Sequence, residues 1–252
     1  MIGAGDLAPW LPLSWLSVAI LAGSLAAGVT AARLLPRLGV ESVYVWAIYP
    51  WALGAGVLGA KAWAVFEAAL VPGHPPLAQL FHLRTGATFY GGLILGSAAV
   101  IAKVRWDRQS LWAVTQALAP GLALAQAIGR IGCFLVGCDY GVPTALPWGM
   151  AFPRAPEPAL APVHPAQLYE SGWLFACAWL LGRRVERSPL LIAEYLLLQG
   201  VGRFLIELVR TNAPVAGPLT LSQLVALACL ACGAVALIRA RYVGRPALES
   251  LP

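Results

Sequence analysis

Residues 111–136 read LWAVTQALAPGLALAQAIGRIGCFLV, an apolar run with one charged side chain, Arg130. About 20 mostly apolar residues are enough for a helix to cross a bilayer. Inside lipid a helix is the default, because it satisfies its own backbone donors and acceptors. Outward from this stretch, six further runs of the same kind occupy roughly residues 13–35, 43–70, 87–104, 167–181, 190–209 and 219–238. The expected fold is therefore all-α, a polytopic integral membrane protein with seven transmembrane helices.

Composition agrees. The 252 residues are 60% hydrophobic and 11% charged, against about a quarter charged in soluble domains. That leaves too little polar surface for a water-soluble globule. Ten Trp and seven Tyr suit helix ends that need amphipathic rings at the headgroups. The net charge of +6 is dispersed in short clusters between apolar runs, which argues against nucleic acid as a partner. Five cysteines without regular spacing do not make a disulfide framework. Three histidines without a ligating motif give no metal site, and no cofactor is indicated. Asp6 and the lack of a basic N-terminal region speak against a cleavable signal peptide.

Loop charge sets the orientation. Arg33 and Arg37 follow the first run. Lys103, Arg105 and Arg108 follow the third, Arg183, Arg184 and Arg187 the fifth, and Arg239, Arg241 and Arg245 the seventh. These are eleven of the 17 basic residues, all on one side if the runs alternate. The opposite loops hold little beyond Arg84, Arg154 and Arg210. The positive-inside rule places the N-terminus outside and the C-terminus inside. Residues 1–252 form a single transmembrane domain in this reading, with an ordered, non-spanning outer-side (periplasmic) arm at about 137–165. The arm carries Gly141, Pro143, Pro147, Pro153, Pro156, Pro158, Pro162 and Pro165, too many breakers for a helix.

A few polar residues remain at membrane depth: Lys61, Glu67, Arg130, Glu170, Glu194, Arg203, Glu207 and, near an end, Arg210. A charge at the centre of a spanning helix costs about 2.5–3.5 kcal/mol, so such residues are paired, face a cavity, or serve a function. Arg203, Glu207 and Arg210 share one helix face. They make either a self-neutralising ladder or a ladder with one positive charge left for an anion. Arg130 has no acid within a helical turn, so its partner comes from another segment or from a ligand. Its planar fork of donors matches a phosphate. Gly92 and Gly96 form a GxxxG suited to close helix packing. Tyr90, just before them, is a belt residue or a proton acceptor. His164, Gln167, Tyr169 and Glu170 bring more polarity to a helix start than a cap needs. Cys177, Cys229 and Cys232 read as packing residues. Cys133 and Cys138 flank the start of the arm, with inert burial the simpler role.

Five stretches, in this order, resemble the prolipoprotein diacylglyceryl transferase family: GATFYGGL from Gly86, GRIGCFLVGCDYG from Gly129, PWGMAFP from Pro147, HPAQLYE from His164 and GRFLIELVR from Gly202. The resemblance implies seven spanning helices with the N-terminus outside, in a bacterial cytoplasmic (inner) membrane. It implies transfer of the diacylglyceryl group of phosphatidylglycerol to the lipobox cysteine thiol of a preprolipoprotein, with release of glycerol phosphate. By resemblance Arg130 and Arg203 hold the phosphate, Tyr90 belongs to the catalytic set, Gly141 keeps the start of the arm open, and Glu207 and Arg210 brace the sixth helix. Cys133, His164, Tyr169 and Glu170 complete the expected substrate-binding set. The chain departs from the family pattern where Tyr90 replaces a frequent His, and where Cys133 and Val136 replace Asn and Cys138 replaces Glu. Leu16-Ser17 stands where the family often has Tyr-Gly, and Lys61 where Arg is common. Two other readings stand beside the transferase: a relative that uses the same phospholipid with another acceptor, and a phospholipid-binding or transport membrane protein without turnover.

Overall fold

Ser14 and Ser110, each with an extended backbone, open a helix. Their hydroxyl oxygens accept from the amides of Ser17 (3.2 Å) and Ala113 (3.1 Å), donors that a first helical turn would leave free. The structure is a computed structural model that describes residues 6–8, 11–69 and 89–243. Arg84, Arg245, motif residues 86–88 and the side chains of Glu67 and Tyr90 lie outside the described residues.

Among the described residues seven α-helices follow one another: α1 Trp15–Leu34, α2 Tyr44–Ala69, α3 Phe89–Trp106, α4 Leu111–Val136, α5 Ala166–Gly182, α6 Leu191–Glu207 and α7 Leu221–Val243. They fall on the seven apolar runs. Among the described residues three stretches are long and apolar enough by themselves to cross a membrane: Trp15–Leu38, Leu111–Val136 and Leu221–Tyr242. The molecule is mostly helical rather than wholly so. Among the described residues three antiparallel hairpins stand outside the helices: β1 Asp6–Ala8 with β2 Leu11–Ser14, β3 Met150–Phe152 with β4 Ala159–Val163, and β5 Pro214–Ala216 with β6 Leu219–Thr220. These strands have two to five residues, too few for an alternating pattern to register in sequence.

Close backbone approaches fix the helix directions. Ideal Cβ positions at Gly23 and Gly121 would lie 2.7 and 2.8 Å from the carbonyl oxygens of Ala125 and Ala27, so α1 runs antiparallel to α4. Gly92 and Gly96 face the carbonyls of Gly56 and Ala52, so the GxxxG of α3 seats against an antiparallel α2 as expected. At the far end the Tyr44 hydroxyl donates to Asp107 (2.9 Å), which also pairs with Lys103 (2.7 Å). The loop before α6 is tied to the start of α4. The Trp112 indole donates to the Pro189 carbonyl (2.8 Å), and the buried Gln116 donates to the Ser188 carbonyl (3.0 Å) and accepts from the Leu191 amide.

The described basic residues at the ends of α1, α3, α5 and α7 consequently lie at one end, with the starts of α2, α4 and α6. The ends of α4 and α6 and the starts of α5 and α7 gather at the other. Side chains such as Ile20, Leu21, Leu25, Val57, Leu58, Leu205, Val235 and Ile238 are each more than half exposed. A water-soluble monomer rarely shows apolar surface on that scale; a lipid-facing belt requires it.

Candidate functional site

Helix α4 stops at Gly137, whose left-handed conformation (φ 80°) lets its amide reach the carbonyls of Cys133 (2.9 Å) and Phe134 (3.1 Å). The next amide, of Cys138, bonds the Cys133 carbonyl at 3.1 Å, the double closure of a Schellman turn. Asp139 follows with φ 64°, a left-handed conformation that Asp tolerates better than most side chains. This turn throws the chain back over the end of α4.

The arm is then stitched down by its backbone. The Gly141 amide donates to the His164 carbonyl (2.8 Å), the Val142 amide to the Val209 carbonyl at the end of α6 (2.9 Å), and the His164 amide to the Val142 carbonyl (3.0 Å). A Cβ at Gly141 would overlap the Val209 carbonyl oxygen and lie 2.8 Å from the His164 Cβ. No other residue fits there. Phe152 stacks on Tyr140 (5.6 Å between centroids) and meets Phe134 edge-on (5.7 Å).

Beneath this arm the charged residues of four segments meet. Arg130 Nε lies 3.1 Å from Glu170 Oε2, and the same oxygen takes Arg203 Nη1 at 3.2 Å. Arg203 Nη2 lies 3.1 Å from Glu207 Oε2, with Arg210 Nε on its other side at 3.6 Å, too long for a hydrogen bond. Arg210 Nη2 reaches Asp139 Oδ1 at 2.7 Å, and Asp139 Oδ2 returns to Arg130 Nη1 at 3.2 Å. Three guanidiniums and three carboxylates thus alternate around a closed ring. Burying single charges costs several kcal/mol each, and the close alternation of opposite charges offsets that cost.

Exposure is uneven. The Glu207 side chain is 0% exposed and Glu170 5%, whereas Asp139 is 42% exposed. Glu207 is further fixed by Asn212 (2.6 Å) and Thr220 (2.8 Å), which both donate to its Oε1, and Arg203 also donates to Ser222 of α7 (2.8 Å). Partial burial works to raise the Asp139 carboxyl, but Arg210, and after it Arg130 and Arg203, hold it below the ordinary carboxylate value.

Of the expected residues, Arg130, Glu170, Arg203, Glu207 and Arg210 come together. The surplus positive charge of the Arg203–Glu207–Arg210 ladder does not stand alone: Arg130 adds a second, and Glu170 and Asp139 neutralise the two. His164 and Tyr169 form a neighbouring cluster, in which the Tyr169 hydroxyl accepts from the Trp148 indole (2.8 Å) and lies 3.2 Å from His164 Nδ1. Gln167 does not cap α5. It donates to the Cys138 carbonyl (2.6 Å) and so pins the start of the arm. Glu194, expected at membrane depth, sits in the first turn of α6 and pairs with Arg184 of the preceding loop (2.7 Å). Asp139 and Ser222 were missed. A carboxylate two residues before Gly141, in a turn with no helical register, was the only signal for the first.

Among the described residues, Cys133, Cys138 and Asp139 bring donor atoms within 4.8 Å of one another. Both Asp139 oxygens already face guanidiniums, which disfavours a cation there. The Cys138 thiol is pushed well up by its contact with Cys133 and by burial. A cleft of about 590 Å³ beside Tyr44 and Gln109 lies at the opposite end of α4 and takes no part in this chemistry.

The arrangement can receive an oxyanion where several fixed donors converge. Residues 5–239 match the family described as prolipoprotein diacylglyceryl transferase. Relatives named phosphatidylglycerol–prolipoprotein diacylglyceryl transferase include one from Thermosynechococcus vestitus, 36% identical over 68% of this chain and 67% of its own length. One from Gloeobacter violaceus is 37% identical over 69% of this chain and 68% of its own. One from Clostridium tetani is 37% identical over 51% and 53% respectively. The matched stretches thus span from about half to about two thirds of these relatives' lengths.

Proposed function

Since the chain belongs to the prolipoprotein diacylglyceryl transferase family, we propose that it transfers the diacylglyceryl group of phosphatidylglycerol to the lipobox cysteine thiol of a prolipoprotein. The observation that carries this reading is the convergence of Arg130 and Arg203 on the single Glu170 oxygen, at 3.1 and 3.2 Å. Two guanidiniums on different helices are held close enough to share one small anion. The seven helices span a bacterial inner membrane, with the N-terminus outside and the basic clusters inside. The arginine ring then lies near the outer leaflet, where a lipid phosphate is within reach, under an arm on the periplasmic side.

In the reaction the acceptor sulfur attacks the terminal glyceryl carbon. A C–S bond forms, the C–O bond to phosphate breaks, and glycerol phosphate leaves with the electron pair. The thiol proton passes to a base or to water. Charge grows on the departing phosphate, and preorganised guanidiniums bind that charge more tightly in the transition state than in the ground state. A thiol of pKa near 8.5 needs modest help to ionise. Tyr90 is assigned to the acceptor side on sequence alone. Gly141 holds the arm over the ring. Glu207 and Arg210 brace α6, and Cys133, His164 and Tyr169 line the approach.

The test is purified protein with phosphatidylglycerol vesicles and a lipobox peptide, with mass spectrometry for the thioether and for free glycerol phosphate in equal amount. The expected result is both products, and neither with a peptide whose cysteine is Ser. Glycerol phosphate released without thioether would favour another acceptor. Lipid binding with neither product would make the chain a phospholipid-binding protein instead.

A further inference from the structure

Asp139 differs from the rest of the ring in three ways. Its side chain is 42% exposed, whereas no other member exceeds 24%. It stands on the arm, in a left-handed turn at φ 64°. Its two oxygens go to two different guanidiniums, Oδ1 to Arg210 at 2.7 Å and Oδ2 to Arg130 at 3.2 Å, as two oxygens of one phosphate would. Arg210 also donates to its backbone carbonyl at 3.2 Å. Beside Arg130, a Cβ on Gly129 would meet nothing within 4 Å beyond its chain neighbours and its own helix backbone, among the described residues.

The ring is charge-neutral as it stands, so an entering phosphodiester, with one negative charge, must replace one carboxylate or leave an unbalanced anion in a poorly solvated place. Glu207 is occluded and held by four partners, and Glu170 is 5% exposed between two arginines. Neither can withdraw. The Asp139 side chain, 42% exposed, can turn outward while the arm stays seated. We propose that Asp139 is the exchangeable anion of the site, a carboxylate that occupies the Arg130–Arg210 edge until a lipid phosphate displaces it and that returns to displace the glycerol phosphate product. This rests on the phosphate reading of the ring given above. Asp139 is on this account a specificity-determining residue, setting the threshold that an anion must exceed to be held.

The experiment is calorimetric titration of the full-length protein, purified in detergent, with glycerol phosphate. Asp139→Asn removes the competing charge and keeps a residue that tolerates the left-handed turn. It is expected to bind the probe roughly ten-fold more tightly than wild type, the scale of one charge-assisted hydrogen bond. Asp139→Glu restores the carboxylate and should restore the weaker binding. Asp139→Ser serves as a second neutral replacement, and unchanged helical circular dichroism checks the fold of each. A carboxylate that merely fastened the arm would give equal or weaker binding in both neutral variants, and that result overturns the inference while wild-type binding, abolished by Arg130→Ala, upholds the phosphate site. A wild type with no saturable, Arg130-dependent binding overturns both.

Discussion

Glu170 is the hinge of the ring, because one of its oxygens lies between Arg130 and Arg203. Glu170→Gln keeps the shape, removes the anion and leaves two guanidiniums facing each other. Breaking a buried pair from one side costs about 3–5 kcal/mol, so a drop in the detergent thermal midpoint is expected, and an unchanged midpoint would show that the two arginines find other partners. Asp139 acts in a definite pH window. Its carboxyl is held below the ordinary value near 3.9. Its contribution to stability is therefore complete above that value and fades as pH falls through the lower, folded one. An acid titration of the thermal midpoint should show this decline in the wild type and lack that part of it in Asp139→Asn. Solvent screening at this half-exposed group keeps the effect small. At Tyr90, replacement by Phe should lower turnover more than lipid affinity, as steady-state kinetics beside a binding curve would reveal. At this scale the sequence disclosed the arginines and Glu170, Glu207 and Arg210, since a charge inside an apolar run stands out on composition alone. It hid Asp139, whose partners are 9 and 71 residues away and whose backbone conformation leaves no periodic trace.

Among the elements, the helices were legible and the backbone pairing of the arm was not. Apolar runs marked α1 to α7 to within a few residues, and Gly92 and Gly96 marked a close helix contact without identifying α2 as the partner. The hairpins of two to five residues, and the stitching of Gly141 to His164 and to α6, depend on pairing across distant segments. Gly141 is where that pairing is tightest, as a methyl would enter the Val209 carbonyl. Gly141→Ala is expected to push the arm off the end of α6 and to lower transfer by at least an order of magnitude, in line with the steep penalty for misplacing catalytic groups by about 1 Å. Helical circular dichroism should stay as in the wild type. Transfer at the wild-type rate would mean that the arm need not be seated for catalysis.

For the whole molecule, the alternating helix directions and the gathering of basic residues at one end fit the orientation argued from charge. Leu160 of β4 and Trp106 at the end of α3 are both highly exposed, at 79% and 86%, on opposite ends. A cysteine at 160 should react with a membrane-impermeant maleimide in intact bacteria, and one at 106 only in inverted vesicles, each above the wild-type background. The reverse pattern would invert the topology and place the arginine ring at the cytoplasmic leaflet.

The central claim is that Arg130 and Arg203 carry the charge of the departing phosphate. It is tested most directly by kcat/KM for thioether formation in Arg130→Ala and Arg203→Ala, with lipid binding measured on the same preparations. Loss of one preorganised donor to a developing anion lowers rates by about 100- to 1,000-fold, and each variant should fall at least that far while retaining a helical fold. Variants that transfer within a few-fold of the wild type would contradict the account.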